Sequence, residues 1–130
     1  MKLFLLGAIL ATSFTAGAAA KAPSVTCELA NWQTDVDGTY SGGMTAKPVK
    51  ITARGATATL NGFSLNGTVK PVCAADGGPC RGYELSVTLE NSNGTISSGI
   101  NTPVEAGKYA RHSASLVIEN QHVWANCDVK

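Results

Sequence analysis

Histidine is scarce in this chain, with two copies in 130 residues. Charge is sparse and balanced, with ten Lys and Arg against nine Asp and Glu. No run of like charges occurs, so the concentrated positive surface that nucleic acid or an acidic membrane face rewards is missing. After residue 20 no apolar segment is long enough to span a bilayer. Helical periodicity is nearly absent beyond that point, and no P-loop, G-x-S-x-G or H-E-x-x-H pattern is found. These absences remove nucleotide hydrolysis, the α/β-hydrolase and zincin chemistries, and a helical membrane anchor. No cofactor is expected.

What is present begins at the N-terminus. Lys2, the apolar stretch Leu3–Leu10 and the small-residue end Ala18-Ala19-Ala20 have the order of a secretory signal peptide, 1–20. The expectation is therefore a single exported domain, 21–130, in the periplasm or outside the cell. There Cys27, Cys73, Cys80 and Cys127 can oxidise. Four cysteines allow three pairings, and the nested one, Cys27 with Cys127 and Cys73 with Cys80, is the most economical. It closes a short loop, Ala74–Pro79, whose second half is turn chemistry.

Strand signals recur along the rest of the chain. Val25, Cys27 and Leu29 alternate with polar residues, as do Val49, Ile51 and Ala53. Asn61-Gly62 reads as a type I′ hairpin turn between Ala56–Leu60 and Phe63–Leu65, and Asn66-Gly67 repeats the signal before Thr68–Cys73. Pro71 marks that last run as an edge or a bulge. Tyr83, Leu85, Val87 and Leu89 form the clearest half-buried strand, turned back at Asn93-Gly94 into Thr95–Ile100. A final hairpin runs Ala110–Ile118, a turn at Glu119–Gln121, then His122–Val129. About eight short antiparallel strands predict an all-β fold, a small disulfide-stapled β-sandwich or closed β-barrel.

Candidate chemistry is thin. His112 and His122 sit roughly 20 Å apart along one hairpin, too far to share a metal. His112 falls near Asp128, in a register that a one-residue slip would change. The acids are scattered over strand faces and turns, which does not fit paired-carboxylate glycoside cleavage. Asp35-Val36-Asp37-Gly38 has the start of a calcium loop without its later ligands, and an Asp-Gly turn accounts for the same residues. No catalytic residue is assigned. Trp32 and Tyr40 flank the polar segment Gln33–Thr39 and are placed to be exposed on one loop. Such rings could stack weakly on sugar, although aromatic rings at a loop base more often pack.

Gly107-Lys108-Tyr109, followed by a closing strand with Asn126-Cys127, resembles the periplasmic lysozyme inhibitors of the membrane-bound and C-type class. That resemblance implies a small exported β-barrel with a terminal disulfide, and a Ser and a Lys or Arg on neighbouring loops that enter a lysozyme cleft. The chain departs from the pattern in lacking a Trp-rich segment between Tyr109 and Cys127 and in carrying the extra cysteine loop. The expectation from the whole sequence is a non-enzymatic binding module for a protein or envelope component. Its candidate contact residues are Trp32, Tyr40, Arg81, Lys108 and Tyr109. An inhibitor and a self-assembling envelope subunit are the alternatives.

Overall fold

The computed structural model describes residues 21–130, and the expected signal peptide lies outside the described residues. Nine strands, β1 (Val25–Thr34), β2 (Tyr40–Thr45), β3 (Val49–Ile51), β4 (Ala56–Leu60), β5 (Phe63–Cys73), β6 (Cys80–Asn91), β7 (Ser97–Val104), β8 (Ala110–Ile118) and β9 (Gln121–Val129), make up the elements. All pairings are antiparallel. One sheet has the order β2-β1-β9-β8, with β3 also paired to β1, and the other the order β4-β5-β6-β7. The two sheets stay separate, so the fold is a sandwich and the closed barrel is excluded. Their edge strands end in unpaired backbone instead of joining into one continuous ladder.

Alternation places the core between the sheets. Val25, Cys27 and Leu29 from β1 meet Leu65 from β5, and Leu85, Val87 and Leu89 from β6, all essentially without exposure. Val123, Ala125, Cys127 and Val129 of β9 complete the same layer. A two-residue period has this effect because successive side chains leave opposite faces of a strand. Cys27 and Cys127 are direct cross-strand partners in the β1–β9 ladder and are bonded, while Cys73 and Cys80 close the β5–β6 hairpin. The nested pairing read from the sequence is the one formed.

The local signals succeed unevenly. Asn61 and Gly62 both have positive φ, 49° and 79°, as a type I′ turn requires. Asn66-Gly67 is no turn: β5 runs straight through it, with Asn66 opposite Thr88 and Gly67 opposite Val87. Glycine stands there because a methyl group would come within 3.1 Å of the Ile51 side chain and 3.3 Å of that of Val87. A close approach from β3 across the core therefore produced the dipeptide that imitates a turn. Pro71 does lie on a free edge, since β4 covers β5 only from Phe63 to Gly67, and a bulge follows at Val72/Cys73. The strand expected over Val49–Ala53 stops at Ile51, and Ala53 is exposed at the turn before β4.

Candidate functional site

The largest departure from expectation carries the site. The segment Gln33–Thr39, expected with its flanking rings as one loop, is shortened by strand at both sides: β1 continues to Thr34, and β2 returns along it from Tyr40. Only 35–39 turns, held by the Asp35 backbone N–H donating to the Thr39 carbonyl at 2.7 Å. Asp37 Oδ1 accepts from the Thr39 hydroxyl at 2.7 Å and the Thr39 N–H at 3.1 Å. These bonds hold the Asp37 carboxyl below its ordinary range. The aspartates thus do turn work. Among the described residues no group of three or more His, Cys, Asp or Glu is arranged to hold a metal.

Trp32 and Tyr40 consequently sit on a sheet face, not on a loop. On β1 the residues Glu28, Ala30 and Trp32 point outward, and on β9 His122, Trp124 and Asn126 do the same. Trp32 is directly opposite His122 and diagonal to Trp124. Four rings form a closed circuit over β1. Trp32 lies 5.6 Å from Tyr40, Tyr40 6.2 Å from His122, His122 5.6 Å from Trp124, and Trp124 6.5 Å from Trp32. Their planes meet steeply, at 75°, 88°, 59° and 82° in the same order. Edge-to-face contacts of this kind are favourable because the positive rim of one ring meets the negative face of the next.

Gly43 makes the arrangement possible. It is the β2 partner of Trp32, and a methyl group on it would meet the indole atoms Cδ2, Cε2 and Cε3 at 3.0–3.1 Å. The indole therefore lies across the bare backbone of β2, while Tyr40 and Trp124 stand steeply to it on either side. Trp32 is 42% exposed and Tyr40 58%, with Val117 beside His122 at 60%. Sequence reading found Trp32 and Tyr40 but missed His122 and Trp124. Their period-two spacing on β9 was visible, but which face of that hairpin looked outward was not.

The remaining candidates lie at the far end of the sandwich. Arg81 and Lys108 come together on a cleft of about 470 Å³ between the sheets, with Tyr83, Glu105 and His112. Tyr109 points elsewhere: it is 63% exposed and donates its hydroxyl to Asp128 Oδ1 at 3.3 Å. Arg111 holds the same carboxylate with two bonds, Nε at 2.7 Å and Nη2 at 3.0 Å. Asp128 therefore faces Arg111 and not His112, whose cross-strand partner is Cys127. The turn has two residues, Glu119 and Asn120, one fewer than expected, and the slip moves His112 to the inner side. Arg111 pulls the Asp128 carboxyl below its ordinary range, chiefly through these hydrogen bonds, and its own guanidinium is pushed upward.

Charge divides along the long axis. The segments 29–46 and 113–127, which frame the aromatic circuit, contain Asp35, Asp37 and Glu119 and neither Lys nor Arg. Lys50, Lys70, Arg81, Lys108, Arg111 and Lys130 are all exposed at or toward the opposite end. Asp76, Glu84, Glu105 and Asp128 share that end, so its cations are in modest excess there, while the turns by the aromatic circuit are acidic.

The fold and the site define a disulfide-stapled antiparallel β-sandwich with an aromatic patch on one outer face. No protein family, curated protein or solved structure matches the chain.

Proposed function

We propose that the chain is an exported, non-enzymatic binding module that holds a protein or envelope component against the outer face of β1, β2 and β9. The observation that carries this reading is the exposed circuit of Trp32, Tyr40, His122 and Trp124. Amphipathic rings concentrated on a rigid, well-paired sheet give large contact area with little conformational entropy to lose. The cleft at the other end offers weak support for catalysis. Its lining has His112, Glu105 and Lys108, but no serine, threonine or cysteine nucleophile and no second carboxylate.

The test uses chain exported with its own residues 1–20 and purified in the oxidised form. It is immobilised and used to capture envelope and medium components, which are identified by mass spectrometry. A component retained by wild type and lost with Trp32→Ala and Tyr40→Ala, but kept with Lys108→Ala, supports the reading. Loss with Lys108→Ala alone moves binding to the cleft. That result, joined to stoichiometric suppression of lysozyme, favours the inhibitor alternative, for which Lys108 and Arg81 at the cleft mouth are the supporting observation.

A further inference from the structure

We propose that the aromatic circuit binds an organic cation, specifically a methylated ammonium group, against its exposed rings. The inference rests on the reading of this face as a binding surface and names what that surface recognises. Two features point the same way.

The first is geometry. A pyranose that spans two rings needs them coplanar, and no neighbouring pair here is nearer to parallel than 59°. The rings instead stand within 5.6–6.5 Å of their neighbours and leave Trp32 42% and Tyr40 58% exposed, so a cation on this face lies near several π-systems at once. The sides of the circuit are 5.6–6.5 Å, so its middle lies well within the ~6 Å over which a ring centre attracts a positive charge. Two of the four rings are tryptophan, the strongest partner of this kind.

The second is charge. Asp35, Asp37 and Glu119 lie in the turns beside the circuit, the 119–120 turn being tied to β1 by the Thr34 N–H donating to the Asn120 carbonyl at 2.8 Å. No Lys or Arg occurs in either framing segment to compete for the rings. A cation arriving there meets a negative potential before it meets the π-faces.

The ammonium group can be carried by a free solute or displayed on a lipid headgroup, and the experiment separates the two. Intrinsic tryptophan fluorescence of the oxidised, exported chain is titrated with choline chloride against a sodium chloride blank. Parallel titrations use 3,3-dimethylbutan-1-ol, the uncharged isostere, methyl glucoside, and phosphatidylcholine vesicles. The expected result is a saturable response to choline at least tenfold tighter than to the isostere, absent in Trp32→Ala. Response to the vesicles without response to free choline also supports the site and assigns the displayed headgroup as its source. Equal response to choline and the isostere, saturation by the glucoside alone, or no response in any arm overturns the proposal. Because Trp32→Ala also removes an anchor, Gly43→Ala is measured beside it, with far-UV circular dichroism as the check on folding. Loss of captured partner with Trp32→Ala alongside no choline response refutes the cation while leaving the binding surface in place.

Discussion

Gly43 and Trp32 are coupled through space on adjacent strands, and the coupling gives a sharp expectation for a single methyl group. Gly43→Ala forces the indole off β2, because three of its ring atoms already stand at 3.0–3.1 Å from the position of the new carbon. The tryptophan signal in near-UV circular dichroism should fall and choline affinity should drop about tenfold. Global stability should shift by no more than about 1 kcal/mol, since the added group lies on an outer face. At the other end, the Arg111–Asp128 pair predicts a direction with pH. The Asp128 carboxyl is depressed in the folded chain, so the stability it contributes is present above the ordinary aspartate value of about 4 and is lost as pH falls through its lower folded value. Urea midpoints of wild type and Asp128→Asn should therefore differ at pH 6 and converge toward pH 2. Both partners are substantially solvent-exposed, at 59% and 34%, so the difference should be small and should shrink in high salt.

Strand β5 shows what its dipeptides meant. Gly67→Ala adds a methyl group 3.1 Å from Ile51 Cδ1 and 3.3 Å from Val87 Cγ2, against a gain from removing a flexible residue from a strand. Overpacking should outweigh that gain, lowering stability by about 1–2 kcal/mol with an unchanged urea m-value. Were Asn66-Gly67 a turn, as the dipeptide alone indicates, the substitution would instead disturb a hairpin loop. Periodicity and turn chemistry were enough for β6, for the Asn61-Gly62 hairpin and for the inward face of β1, because each depends on residues close together in sequence. The reach of β1 to Thr34 and the existence of β2 were hidden. Polar, glycine-rich Tyr40–Thr45 has little intrinsic preference for a strand and is held there by pairing with β1. The same reasoning covers the site. Trp32 and Tyr40 were visible as aromatic residues beside a polar segment, but their union with His122 and Trp124 follows from a β1–β9 register across some ninety residues of intervening chain.

The two disulfides act over different ranges of the whole molecule. Cys27–Cys127, with a sequence separation of 100, removes about 4.7 kcal/mol of loop-closure freedom from the unfolded chain by the chain-entropy account. Cys73–Cys80, with a separation of 7, removes roughly 2.5 kcal/mol on the same basis. Paired alanine replacement of the outer bond should therefore lower stability about twice as much as replacement of the inner bond, as read from guanidinium midpoints. The inner replacement should loosen the Arg81 end and leave the tryptophan spectrum unchanged.

Separation of charge along the same axis has a mechanical outcome. A body that is nearly neutral overall, yet negative around Asp35, Asp37 and Glu119 and positive around Lys108, Lys130 and their neighbours, carries a permanent dipole. Near an anionic surface such a body feels little net pull but a definite torque. It turns its lysine-bearing pole toward that surface and the Asp35, Asp37 and Glu119 turns away from it.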